Sequence, residues 1–177
     1  MIRLIASLLL CLGTAASAQT VEEAARINAE IALQFCIQPH VQPAMRAQMF
    51  RNSGFAERVE RSQGNSDTTH YFTAPADTVH IELYYGEMPE HCRVTSNHLD
   101  VSAAAPVLDA VVPRFYPGFV RRVTYGPVNP ATGQPVQCVA YQDPSNPIGL
   151  EIGVGAWGGA QGCVANGTSV FYLTYRV

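Results

Sequence analysis

Apolar residues recur at helical spacing near the start of the chain and predict a first helix. A T-x-x-E capping box begins at Thr20, and Pro39 should end the helix near Ile37. Four apolar residues, three or four positions apart, are expected to form its buried face: Ala24, Ile27, Ile31 and Phe35.

Proline and glycine positions predict two further helices. Pro43 suits the first position of a second helix, and Gly54 suits its C-cap region. A third helix is expected to begin at Ser102 or Pro106, and Pro113 should kink or end it. The apolar residues of this third helix are Val107, Leu108, Val111 and Val112.

Other segments alternate between apolar and polar residues with the period of a β-strand. In VHIELYYG, one face carries His80, Glu82 and Tyr84, opposite an apolar face. In GLEIGV, Glu151 opposes three apolar residues, and SVFYLTYRV alternates in the same way; Asn166-Gly167 predicts a hairpin. Antiparallel strands with one buried and one wetter face, and helices packed on one face, predict an α+β fold.

The hexad GFAERV at Gly54–Val59 returns as GFVRRV at Gly118–Val123. This repeat predicts a tandem duplication of a helix-then-strands unit, with halves of about 20–99 and 100–177 fused into one fold. The alternative is that two unrelated halves use similar turn chemistry. The residue pairs that the duplication predicts are Tyr71 with Tyr141, Glu82 with Glu151, Cys92 with Cys163, and Asn97 with Asn166.

Residues 1–18 have the pattern of a secretion signal. Arg3 precedes an apolar run, and small residues lead to a predicted cleavage after Ala18, which leaves a single domain of 19–177. Cys11 would fit a lipoprotein signal, but leucines precede it where a small residue is preferred. Because the apolar run is shorter than the ~20 residues of a membrane span, we expect a periplasmic or secreted protein without a transmembrane segment.

The predicted mature domain carries four cysteines, an even number that favours disulfides in an oxidising compartment: Cys36, Cys92, Cys138 and Cys163. If each half closes its own bridge, the pairs are Cys36–Cys92 and Cys138–Cys163. A Cys/His zinc site is the alternative, since His40, His91 and His98 lie near two of the cysteines. Most of the five histidines lie in polar or turn-rich segments, which predicts solvated surface positions.

Composition excludes several classes of function. All eleven cations are arginine, so lysine-dependent Schiff-base and Walker A chemistry is excluded. The net charge is −3 without a basic run, which is unfavourable for nucleic-acid binding. The glycine-rich stretch Gly153–Gly158 leads into a strand rather than a helix, so we expect neither a dinucleotide site nor another cofactor.

Two features are candidate binding sites. Trp157, the single tryptophan, lies in a glycine-rich stretch. It is expected either to be exposed as a recognition anchor for a partner or to fold back onto the core. Glu82 and Glu151 lie on the wetter sheet face, with His80 and Tyr84 beside Glu82. Two converging carboxylates perform acid–base chemistry, whereas the alternative is that each is a solvated strand residue.

These features favour a non-catalytic binding or inhibitory module that acts on an envelope or extracellular protein. One alternative is a small hydrolase that uses His80 with Glu82, or Glu82 with Glu151; another is a structural envelope protein without a discrete ligand. A pocket that joins Glu82 and Glu151 would favour the hydrolase, and a protruding Trp157 would favour the binding module.

Overall fold

The computed structural model describes residues 20–62, 67–86, 91–130, 132–146, 148–156, 163 and 168–175. These residues form three helices, α1 (Val21–Ile37), α2 (Pro43–Asn52) and α3 (Val101–Phe115). They also form eight strands: β1 (Ala56–Arg61), β2 (Thr68–Thr73), β3 (His80–Tyr85), β4 (His91–Ser96), β5 (Val120–Val128), β6 (Pro135–Gln142), β7 (Leu150–Gly155) and β8 (Ser169–Tyr175). The predicted signal segment, the Asn166-Gly167 hairpin and Trp157 lie outside the described residues.

The eight strands form one antiparallel sheet in the order β1-β2-β3-β4-β8-β7-β6-β5. Each group of four consecutive strands is a meander, and the two meanders meet where β4 pairs with β8. All three helices contribute to a core that contains only one face of the sheet, including Ile81, Val94, Ile152 and Phe171. The predicted α+β fold, with an antiparallel sheet and helices on one face, is therefore confirmed.

The start of α1 was predicted correctly, and its buried face was predicted in part, since Ile31 and Phe35 pack against the core as expected. The Thr20 hydroxyl accepts a hydrogen bond from the Glu23 amide at 3.1 Å, as the capping box requires. Ile27, however, is 38 % exposed. The residues of α1 that are buried are Ala25, Ala29, Ala32, Leu33, Cys36 and Ile37. Three alanines bring the backbone of α1 close to its neighbours α3 and β4, and this close packing decides which face is buried.

Helix α3 continues through both of its prolines. Asp100 caps it, since its carboxylate accepts a hydrogen bond from the Ala103 amide at 2.7 Å, so neither Ser102 nor Pro106 is the start. Pro113 was expected to kink or end the helix, and it does not end it, because the helix runs to Phe115. Prolines within a helix cost about 3 kcal/mol each. Burial of the apolar face outweighs that cost: Val107, Leu108, Val111 and Val112 are all buried.

Both predicted disulfides are present. Cys36 of α1 is bonded to Cys92 of β4, with 5.5 Å between the Cα atoms, and this bridge ties the first helix to the middle of the sheet. Cys138 of β6 is bonded to Cys163, which precedes β8, with Cα atoms 5.4 Å apart. Two disulfides fit an extracellular or periplasmic location, where an oxidising environment preserves them.

The residue pairs expected from the duplication do not occupy equivalent places in the sheet. Arg58, Tyr71 and Glu82 lie side by side on β1, β2 and β3. Counted the same way from Arg122 on β5, the neighbours are Ala140 and Gly153, not Tyr141 and Glu151. Tyr141 points to the opposite face, where its hydroxyl donates to Asp109 of α3 at 2.9 Å.

The glycines and cysteines of the two halves differ as well. Gly54 has a φ of 81°, as expected beyond the end of α2, but Gly118 does not adopt a left-handed conformation. Cys92 lies within a strand, whereas Cys163 lies before one. The strand order repeats, and the duplication itself stays a prediction.

Candidate functional site

The three helices lie on one face of the sheet, and the other face, called the open face here, carries the predicted polar residues. On β3, His80, Glu82 and Tyr84 alternate with the buried Ile81 and Leu83, as predicted. Strand pairing extends this face across the first meander. A cross-strand row runs over the four strands β1 to β4 and consists of Arg58, Tyr71, Glu82 and Arg93.

A groove of about 550 Å³ lies along this row. The guanidinium carbon of Arg58 is 4.2 Å from the centroid of the Tyr71 ring, so Arg58 leans from β1 over β2. Arg93 leans from β4 towards β3, and its Nη1 lies 3.5 Å from Oε2 of Glu82. His80, Thr95 and other open-face side chains complete the groove wall. The two arginines therefore approach each other over a floor made by a tyrosine and a carboxylate.

Glu82 has partners that the sequence did not identify. Its Oε1 lies 2.9 Å from Nε2 of His91 on β4, and the His91 ring stacks on Tyr84 with centroids 5.1 Å apart. His80, the expected partner, instead lies 3.5 Å from Asp77. Glu82 is thus a half-buried carboxylate between His91 and Arg93, and these two contacts fix the orientation of its side chain.

The surroundings of Tyr71 in this row change the pKa of its hydroxyl. Burial raises the pKa of the Tyr71 hydroxyl, and the carboxylates of Glu60 and Glu82 raise it further. The hydroxyl therefore stays protonated across the physiological range and donates a hydrogen bond to Glu60.

The second meander presents a different open face. The ring of Tyr172 on β8 lies over Gly153 of β7, and its hydroxyl donates to Oε1 of Glu151 at 3.3 Å. Glu151 is only 7 % exposed, so the prediction of a solvated strand residue is wrong for this position. Arg122 and Tyr172 line a small cavity of about 220 Å³ beside Glu151.

Gly153→Ala is expected to displace the Tyr172 ring. A Cβ at this position would lie 2.4 Å from Cζ and Oη of Tyr172, so the ring must swing away from Glu151. We expect the free energy of unfolding to fall by roughly 1 kcal/mol, the scale of a lost cross-strand aromatic contact. Urea titration followed by circular dichroism measures this.

Two controls separate this contact from a general effect of adding a methyl group. Gly118→Ala meets open space and should leave the unfolding free energy within about 0.5 kcal/mol of wild type. In a Tyr172→Ala background, Gly153→Ala should no longer destabilise. An equal loss in both backgrounds would show that Tyr172 is not what Gly153 accommodates.

Glu82 and Glu151 do not converge. They lie on β3 and β7, with β4 and β8 between them. Three strand spacings of about 4.8 Å separate them by about 14 Å. Glu82 lines the groove, whereas Glu151 lines the separate small cavity. Neither of these two pockets contains both carboxylates, which is the arrangement that would have favoured a two-carboxylate hydrolase.

A chain of polar side chains, of which only His70 is buried, connects α2 to the helix-covered face of the first meander. Arg51 donates two hydrogen bonds to Glu57, at 2.8 and 2.9 Å. Glu57 Oε1 lies 2.5 Å from Nδ1 of His70, whose Nε2 lies 2.6 Å from the Tyr85 hydroxyl. His70 is 8 % exposed, so the expected surface position is wrong. The sequence did contain a signal for this burial, because the alternation in TTHYFT places His70 on the same strand face as Phe72.

This chain should make stability depend on pH. Burial raises the pKa of Glu57, but hydrogen bonds from His70 and Arg51 outweigh burial and hold it below its ordinary value. A depressed pKa contributes stability above the unfolded pKa of about 4.3, and this contribution is lost as the pH falls through the folded value. Glu57→Gln is therefore expected to be destabilised at pH 7 relative to wild type, with the difference shrinking towards pH 3.

Urea unfolding of both proteins at several pH values tests this expectation. Glu22→Gln, in the exposed first turn of α1, is the matched control for loss of one carboxylate. A Glu57→Gln deficit that is constant from pH 7 to pH 3 would contradict the role of the carboxylate charge.

Within the described residues, no group of three or more His, Cys, Asp or Glu side chains is placed to hold a metal ion. The described helices include none that is long and apolar enough to cross a membrane. Comparison with known proteins found no relative: no family model, no curated protein and no solved structure matches this chain.

Proposed function

We propose that this protein is a periplasmic or secreted binding module that docks a partner protein on the open face of its sheet without catalysis. The observation that supports this proposal is the cross-strand row of Arg58, Tyr71, Glu82 and Arg93 on a face opposite all three helices. Arginine and tyrosine are enriched among the residues that dominate binding energy in protein interfaces. The predicted secretion signal, with its expected cleavage after Ala18, and the two disulfides support a partner in the envelope or outside the cell.

The hydrolase alternative stays a weaker hypothesis. Its carboxylate pair is separated by about 14 Å on the strand spacing, and Glu82 is held by His91 and Arg93. The structural alternative explains the fold but gives no reason for two arginines to lean over one groove. Trp157, which lies outside the described residues, remains a candidate for an additional contact at the partner.

A capture experiment tests the proposal. The purified, oxidised protein is immobilised and exposed to the envelope extract of its source, in parallel with Tyr71→Ala, Arg93→Ala and Arg26→Ala. Arg26 is the matched control, since it is an exposed arginine with one ion pair, but on α1. We expect one protein to be retained by wild type and Arg26→Ala and lost at least tenfold with the two open-face variants.

Circular dichroism must first show that all four proteins are folded. Equal retention by all of them, or retention of nothing, would contradict binding through the open face.

A further inference from the structure

We propose that two copies of this protein associate through strand β1, so that their two sheets join into one continuous antiparallel sheet. This inference goes beyond the proposed function, because it concerns the edge of the sheet and not its open face. Among the described strands, β1 pairs only with β2, so β1 forms one edge of the sheet. All six residues of β1 are exposed, and no described segment covers this edge.

The edge at β1 lacks the backbone features that keep an edge strand from pairing with another chain. Proteins commonly protect such edges with a proline or a β-bulge. The opposite edge, β5, has both, since Pro127 lies within it and its register with β6 shifts between Tyr125 and Val128. In β1, six consecutive residues pair with β2 without a shift, and none of them is proline. Strand β1 is therefore the edge that can accept another strand.

Hydrogen bonds fix which backbone groups of β1 face away from the sheet. The Ser62 amide donates to the Asp67 carbonyl at 3.2 Å, which continues the β1–β2 ladder by one residue. In an antiparallel pair, residues that bond to the neighbouring strand alternate with residues that do not. The N–H and C=O groups of Glu57, Val59 and Arg61 therefore point outward. Glu57 agrees with this direction, since the residue is exposed although its side chain is only 18 % exposed.

The charges of β1 select one register for the pairing of two copies. Hydrogen bonds form only where outward-facing residues oppose each other, so the two-fold axis passes beside one residue of each copy. An axis beside Glu57, Arg58, Glu60 or Arg61 would place that residue opposite itself, and like charges directly opposite are destabilising. An axis beside Val59 instead places Glu57 opposite Arg61 and Arg58 opposite Glu60. Within residues 57–61, this register alone opposes unlike charges throughout.

Pairing in this register breaks no contact that the single chain makes. The outward groups of three residues form about six backbone hydrogen bonds between the copies, two for each opposed pair. Val59, which is 41 % exposed, packs against its own copy. The ion pair between Arg58 and Glu60 stays in place, and each carboxylate gains a second guanidinium from the other copy. Glu57 keeps its hydrogen bonds to Arg51 on the helix-covered face.

Sedimentation velocity of the oxidised protein, measured from micromolar to submillimolar concentration, tests this proposal. We expect wild type to sediment as a dimer at the upper end of this range. Glu60→Arg and Arg58→Glu each turn two opposite-charge pairs into like-charge pairs and should weaken dimerisation by at least roughly tenfold. The double variant Arg58→Glu/Glu60→Arg exchanges the charges and should restore the dimer. Glu22→Arg, in the exposed first turn of α1, is the matched control and should leave dimerisation unchanged.

Val59→Pro tests the backbone contact separately. Because the Val59 N–H points outward, proline removes a hydrogen bond between the copies and none within the β1–β2 ladder. We expect a monomer with the circular dichroism of wild type. A wild-type protein that is monomeric throughout, or a folded double variant that stays monomeric, would overturn the proposal. A dimer that persists in both Glu60→Arg and Val59→Pro would also overturn it, since that dimer uses another surface.

Discussion

Phe50→Ala is expected to lower the free energy of unfolding by about 3–5 kcal/mol, the largest effect of any single substitution considered for this protein. Phe50 of α2 is 0 % exposed. Its ring lies 5.3, 5.4 and 4.8 Å from those of Phe35, Phe55 and Phe72, which belong to α1, the α2–β1 connection and β2. Truncation therefore leaves a cavity where two helices and the sheet meet.

Urea unfolding at neutral pH measures this loss, with Met45→Ala as the control on the same helix. Met45 is 58 % exposed, so its truncation should change the unfolding free energy by less than about 0.5 kcal/mol. A loss below about 1 kcal/mol for Phe50→Ala would contradict the packing of α2 described here.

Removal of the Cys36–Cys92 disulfide is expected to have the next largest effect. The bridge spans 56 residues, and the chain-entropy relation for a loop of this length gives about 4 kcal/mol of stabilisation. Both cysteines are buried, and replacing them with alanine removes the bridge without leaving free thiols in the core. We expect the double variant to unfold about 4 kcal/mol more easily, in a range of 2–5 kcal/mol.

Hydrogen exchange distinguishes loss of this bridge from a general loss of stability. The bridge anchors the end of α1 to β4, so the amides of α1 should exchange faster in the double variant. Cys138→Ala/Cys163→Ala, which opens the bridge between β6 and the segment before β8, should leave α1 protected. Unchanged exchange in α1 after loss of Cys36–Cys92 would show that helix packing alone holds it.

Local patterns in the sequence predicted much of the fold. The alternation around Glu82 and Glu151 placed both side chains on the open face, because the strand period is two and needs no knowledge of the partner strand. The capping box at Thr20 works in the same local way. Helix faces were harder. The alanine stripe of α1 is weakly hydrophobic, so larger residues such as Ile27 gave the stronger but misleading signal.

The groove depends on strand register, which a single sequence does not contain. Arg58, Tyr71 and Arg93 are neighbours only after three antiparallel pairings are fixed. The expectation that Glu151 is equivalent to Glu82 failed for the same reason. It followed offsets along the sequence, whereas strand pairing places Gly153 at the position that corresponds to Glu82. The disulfides were predicted correctly although Cys92 and Cys163 are not equivalent in the sheet.

The proposed binding surface is tested most directly by photo-cross-linking. Benzoylphenylalanine replaces Thr95 of the groove wall on the open face in one protein and Ile27, which is 38 % exposed on α1, in the other. Each protein is irradiated in the envelope of its source, and adducts are identified by mass spectrometry. We predict one protein adduct from position 95 and none from position 27. An adduct from position 27 alone would place the partner on the helices and contradict binding through the open face.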